Sequence, residues 1–201
     1  AVVQRGALAR LAAYVPEGAR KLIIVSTEDV WNLHGRKLER GLAGRAFNVI
    51  FFRGGEERKR LAEVERLAGE MVSLGADRSS LLAAFGGGVA TDVGGFLAAV
   101  FMRGIPVIQI PTTLLAQVDA GIGGKTGVNL AAGKNLIGAF HQPNAVLIDP
   151  ALLETLPERE FRAGLHEIVK AGVIRDAPLF RFLAGRRADV LARRAGALDR
   201  I

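Results

Sequence analysis

Gly86-Gly87-Gly88-Val89-Ala90-Thr91-Asp92 stands between an apolar run that ends at Phe85 and a stretch with helical spacing. Glycines at a strand-to-helix junction let the main chain come close to a ligand, and the unpaired N–H groups of a helix start favour a pyrophosphate. The spacing is not G-x-G-x-x-G, because Thr91 holds the last position. A tight turn with Asp92 as a helix cap is the competing reading. Arg103, Lys125 and Lys134 lie among further glycines. Fixed cations there would suit a ligand bearing phosphate or carboxylate, and solvated loop side chains are the alternative. Thr112-Thr113 follows Pro111 and could line a ligand or cap a helix. Glu167 and Lys170, three apart in a helical stretch, share a face, opposite Phe161, Leu165, Ile168 and Gly172. They could act on a ligand or form an ordinary surface pair. Of the histidines, His34 reads as structural in an amphipathic helix and His141 as part of a turn before Pro143. His166 points about a third of a turn away from Glu167 and does not share a metal with it.

The elements that must position these groups alternate between apolar runs and helical patterns, as in a parallel α/β sheet. Strands are expected at Leu22 to Val25, Phe47 to Phe52, Leu81 to Phe85, Val107 to Ile110 and Ala145 to Ile148. Helical stretches are expected from about Val30 to Leu42, Glu57 to Leu74, Val93 to Phe101 and Leu114 to Ala120. In the second of these, Leu61, Val64, Ala68, Met71 and Val72 should form the apolar face. Gly121 to Gly138 is rich in Gly, Lys and Asn and reads as no continuous element. From Pro157 onward the pattern is helical only, which places a boundary between residues 1–157 and 158–201.

Half of the 201 residues are hydrophobic and 23% are charged, a globular composition large enough for a substantial core. The absence of cysteine excludes disulfides and Cys-ligated zinc and is compatible with a reducing cytoplasm. The net charge of +7, from 27 basic and 20 acidic residues, raises nucleic-acid binding. The arginines are interleaved with acids along helical stretches, and one Tyr and one Trp give little for base stacking, so solvated helix faces are the better reading. Ser79 to Met102 is hydrophobic enough to suggest a membrane span, but the glycines and Asp92 within it argue against one. No signal peptide is expected at the first residues.

The ordered set GGGVATDVGGF, RGIPVIQIPTTLLAQVDAGIGGKTGVN, GKNLIGAFHQP and TLPEREFRAGLHEIVKAG resembles 3-dehydroquinate synthases over roughly residues 50 to 180. GGKTGVN with GKNLIGAFHQP is the specific part. The resemblance implies a Rossmann-like α/β NAD-binding domain followed by the start of an all-helical domain. It also implies conversion of the phosphorylated sugar acid 3-deoxy-D-arabino-heptulosonate 7-phosphate to 3-dehydroquinate, with NAD and a divalent metal, zinc or cobalt, as cofactors. A homodimer is the implied assembly, with neither nucleic acid nor membrane as partner.

Residue by residue, the resemblance places Gly55, Glu56 and Lys59 at a nucleotide-contacting turn and Gly87, Gly88 and Asp92 at a pyrophosphate turn. Thr112, Thr113, Lys134 and Thr155 fall at cofactor-proximal positions. Arg103, Asp119, Lys125, Asn135 and Lys170 fall at substrate-contacting positions, and Glu167 at the metal's single carboxylate ligand. Thr91 and Gly54 stand where the family commonly has Gly and Asp, Ala120-Gly121 where it has Ser-Ser, and Ala171 where it has Tyr. The family's two metal-binding histidines match none of the three here, so the chain is expected to be part of a longer one, inactive by itself. A related sugar-phosphate cyclase, a metal-dependent alcohol dehydrogenase and a silent NAD-binding module are the alternatives.

Overall fold

The computed structural model describes residues 1–201. Six strands, β1 (Val2–Val3), β2 (Lys21–Ser26), β3 (Asn48–Phe51), β4 (Ser80–Gly86), β5 (Val107–Pro111) and β8 (Ala145–Ile148), form a parallel sheet in the order β1-β8-β5-β4-β2-β3. The five expected strands are present, and the two-residue β1, too short to carry a pattern, adds a sixth by pairing with β8. Near-continuous apolar runs fit a sheet covered on both faces. Along β2 and β4, Leu22, Ile24, Leu81, Ala83 and Phe85 pack on one side with the 7–14 segment and α1 (Glu28–Gly41). Ile23, Val25, Leu82 and Ala84 face the other side, against α2 (Leu61–Ser73) and α3 (Gly88–Val100).

The buried stripe of α2 is Val64, Leu67 and Met71, with Ala68 packed beside it. Leu61 and Val72, expected on that face, are exposed: Leu61 is the first residue of the helix, and Val72 lies about 100° around the helix from Met71, at the edge of the stripe. No helix is long and apolar enough to cross a membrane.

Residues 121–138, expected to lack a continuous element, contain a hairpin. β6 (Lys125–Leu130) pairs antiparallel with β7 (Gly133–Phe140). Its polar, glycine-rich sequence hides it because it needs little apolar surface: it lies on α3, where glycines admit it. A Cβ at Gly95 of α3 would come within 2.5 Å of Thr126 Cγ2, and within the hairpin a Cβ at Gly138 would come within 2.1 Å of Thr126 O on the paired strand. Beyond the hairpin, α4 (Glu158–Ile174) opens a helical series with α5 (Ala177–Gly185), α6 (Arg187–Leu191) and α7 (Ala195–Leu198). Phe161 and Ile168 of α4 join Leu114, Leu153 and Leu156 in a separate apolar cluster.

Topology locates a crevice. After β2 the chain crosses to β3 on one side, whereas after β4 it crosses to β5 on the other. Adjacent strands whose connections diverge leave a ligand-sized gap outside their carboxyl ends. Here that gap lies between Ser26 and Gly86, because Ser26 pairs in register with Phe85.

Candidate functional site

The glycine turn lies at this gap. Gly87 caps α3 in an extended conformation, so Asp92 is not the cap; it lies inside the helix. Thr112 N–H donates to Gly86 O at 2.9 Å. A Cβ at Gly87 would stand 3.0 Å from Thr113 Cγ2, and one at Gly88 3.3 Å from Ala120 Cβ. Thus Gly87, Gly88, Thr112 and Thr113 converge, and the first-turn N–H groups of α3, which have no intrahelical acceptors, sit among them. Thr113 also has the plainer role: its Oγ1 accepts from Ala116 N.

The helix after Thr113 ends in a π-helical turn over Ala116–Ala120, a local geometry frequent at functional sites. Gln117 holds it, donating from Nε2 to Pro111 O at 3.1 Å and Asp149 O at 3.0 Å. The turn brings Asp119 and Ala120 to a cleft of about 440 Å³ that Asp92, Lys125, Asn135 and Phe140 also line.

Lys59 is buried at the edge of this cleft. Its Nζ donates to Asp92 Oδ2 and Asn135 Oδ1, each at 2.5 Å. Burial nevertheless raises the Asp92 carboxyl above its ordinary range; the Lys59 hydrogen bond and charge pull it down, and Glu56 and Asp119 push it up. Desolvation therefore outweighs the single ammonium. Glu56 follows Gly54 and Gly55, both at positive φ, and its Oε1 lies 3.7 Å from the exposed Lys134 Nζ.

Glu167 and Lys170 form an ion pair on α4. The hydrogen bond that Lys170 donates to Glu167 holds its ammonium above its usual range; burial opposes this, and the charges of Glu167 and Asp119 add to the rise. Gly164 lets α4 close on the 114–120 helix: a Cβ there would meet Leu114 Cβ and Leu115 N at 2.7 Å.

Neither Arg103 nor Thr155 is among the residues that line the cleft. Arg103 lies beyond the far end of α3, and 13 residues at about 1.5 Å each place it roughly 20 Å from Gly88. Its segment is strained, with Met102, Arg103 and Gly104 all at positive φ. Thr155 instead hydrogen-bonds His34 through Oγ1 at 2.8 Å.

His34 is buried, and burial first, then Lys37, lowers its pKa below 6.5, with Asp149 opposing. The unfolded chain therefore takes up a proton at higher pH than the native protein. Stability should be full above about pH 6.5 and fall as pH drops toward the lowered native value. Urea midpoints at pH 7.5 and 5 should show this loss, and His34→Gln, which cannot titrate, should remove that part of it.

The residues present fit a dinucleotide but not a metal centre. No three His, Cys, Asp or Glu side chains gather, His141 is engaged with Ile105 O at 2.9 Å, and Glu167 is taken by Lys170. A second cleft of about 650 Å³ opens at the ends of β2 and β3, lined by Thr27, Asp29, Phe51, Arg53 and Arg58 among others.

Comparison with known proteins places this geometry. The family model for the 3-dehydroquinate synthase N-terminal region matches residues 49–163. The chain is 62% identical over all 201 residues to the 3-dehydroquinate synthase of Solibacter usitatus, covering 56% of that protein. It is 49% identical over 199 residues to that of Koribacter versatilis, covering 54%. It thus spans about half the length of these relatives. Among solved structures, 2-epi-5-epi-valiolone synthase from Streptomyces hygroscopicus, with NAD+ and Zn2+ bound, superposes at a TM-score of 0.88 with 38% identity, over 98% of this chain and 56% of that one. A 2-deoxy-scyllo-inosose synthase with carbaglucose-6-phosphate, NAD+ and Co2+ gives 0.78 and 28%, over 98% and 60%. A glycine turn at a parallel-sheet switch point, carried within a matched segment covering more than half of the sequence, settles the kinship: the chain belongs to the 3-dehydroquinate synthase family.

Proposed function

We propose that this chain provides the NAD-binding cleft of an enzyme that converts 3-deoxy-D-arabino-heptulosonate 7-phosphate to 3-dehydroquinate and phosphate, a lyase reaction of the shikimate pathway. The observation that carries the reading is the packing of Gly87 and Gly88 against Thr113 and Ala120, at the start of α3 and beside Lys125. NAD+ bound there would accept a hydride from a substrate hydroxyl and return it later, leaving no net redox change. The α3 N–H groups would hold the pyrophosphate, and the second cleft, two strands across from β5, suits the adenosine end. Lys125 would attract the anionic substrate, and Asp119 and Lys170 would face it as an acid–base pair of opposite charge.

Calorimetric titration of the 201-residue chain should show NAD+ binding, and the carboxylate-bearing heptulosonate phosphate should bind the NAD+ complex more tightly than a heptulose phosphate without the carboxylate. Equal or reversed affinities would favour a related cyclase. The commitment of His141 to a backbone carbonyl and of Glu167 to Lys170 favours no phosphate release by these 201 residues assayed alone with NAD+ and Zn2+. Release under those conditions would contradict this, and absence of NAD+ binding would overturn the whole reading.

A further inference from the structure

Asn129 lies beside the cleft but does not line it. The β6–β7 register shifts between Val128 and Leu130, and such a bulge frees a residue from cross-strand pairing. Asn129 uses that freedom fully. Its N–H donates to Lys59 O at 2.7 Å. Its Nδ2 donates to Glu56 O at 3.3 Å and to Glu56 Oε1 at 2.8 Å. Its Oδ1 accepts from Asn135 N at 2.8 Å. Asn135 in turn holds a left-handed backbone, φ 55°, and accepts from Lys59 Nζ. One buried amide therefore closes a ring through Glu56, Lys59 and Asn135, residues from two segments about seventy positions apart.

We infer that Asn129 is a positioning residue for the dinucleotide site: it locks the 56–59 turn to the hairpin so that Glu56, Lys59 and Asn135 present one preformed surface to the cofactor. The inference rests on the reading of the cleft as an NAD site. The amide supplies a donor toward the Glu56 carboxylate and an acceptor toward the Asn135 N–H from two separate atoms of one side chain, where a hydroxyl would have to serve both partners from a single oxygen. An aspartate of the same shape keeps the acceptor and sets a carboxylate against Glu56 Oε1.

The test is NAD+ affinity, measured by calorimetry, together with the thermal midpoint of wild type, Asn129→Asp, Asn129→Ser, Glu56→Gln and the double variant Asn129→Asp/Glu56→Gln. Asn129→Asp should weaken NAD+ binding by about tenfold to a hundredfold, the usual cost of leaving a buried polar group unsatisfied. The double variant restores a donor–acceptor pair with its polarity reversed and should recover affinity to within a few-fold of Glu56→Gln. Asn129→Ser, too short to reach both partners, should weaken binding at least about fivefold in protein that remains folded.

A purely structural role would move the thermal midpoint and leave the affinity of the folded protein unchanged. Wild-type affinity in folded Asn129→Asp or Asn129→Ser, or no recovery in a folded double variant, would overturn the inference while the cleft assignment stands. Failure of wild type to bind NAD+ would overturn both.

Discussion

Gly87→Val should raise the dissociation constant for NAD+ at least about a hundredfold while leaving the parallel sheet folded. The effect is steric and local. Gly87 has φ −74° and ψ −173°, a conformation open to any L-residue, so valine introduces no backbone strain. Its Cβ, however, would stand 3.0 Å from Thr113 Cγ2, and its two methyl groups should extend into the space before the first turn of α3. That is the space a pyrophosphate must enter to reach the helix N–H groups. Overpacking at this rim should cost about 1–2 kcal/mol of stability. Gly87→Ala, whose single methyl needs Thr113 to give by a few tenths of an ångström, should lose about tenfold in affinity, roughly 1.4 kcal/mol. Gly69→Ala is the control: it lies exposed in α2 with nothing within 4 Å of the added methyl, and it should gain helix stability without affecting binding. Calorimetry and urea unfolding of the three variants separate binding from folding. Wild-type affinity in Gly87→Val would show that the ligand does not approach this turn.

That glycine turn was legible in the sequence because type and position coincide: three glycines directly after a buried strand and before a helix mean a close backbone approach. The strands were legible for a similar reason. Runs such as Leu81 to Phe85 are apolar at consecutive positions, which a sheet covered on both faces requires, and their alternate residues do divide between the two cores. Where sequence reading ran out, the stabilising partner was distant. The β6–β7 hairpin seats Thr126 in the notch that Gly95 leaves on α3, and nothing within the hairpin's own alternation reports it. Gln117 and Asn129 are buried amides whose acceptors lie as far as 32 and 73 residues away, so no local window marks them as site residues. A polar amide amid apolar neighbours, as in LLAQVDA, was the only available signal. Arg103 shows the converse case: it lies in the segment that matches the family but is not among the residues that line the cleft of its own chain.

Lys59→Met should be the most destabilising single substitution at the site, costing about 3 kcal/mol, because it strands a buried carboxylate. In the native protein the Lys59 ammonium is the one cation in contact with Asp92, while Glu56 and Asp119 add negative potential from either side. Burial already raises the Asp92 carboxyl, and removing the ammonium raises it further. A carboxyl with a native pKa above its unfolded value of 3.8 destabilises the native state increasingly as pH rises from that value through the native one. The deficit of Lys59→Met should therefore be largest at pH 7 and shrink as pH falls toward 5, the reverse of the His34 effect. If the loss comes from the stranded charge, removing the charge should repair it. Lys59→Met/Asp92→Leu, an apolar pair of similar size, should return to within about 1 kcal/mol of wild type, and the double-mutant cycle should yield a coupling of at least about 2 kcal/mol, because Asp92→Leu alone leaves the buried Lys59 ammonium without its carboxylate. Urea unfolding of the four proteins at pH 7 and 5 measures both quantities. Additive losses, or a deficit that does not change with pH, would mean that Lys59 stabilises the fold through its packing and its bond to Asn135 and not by neutralising Asp92.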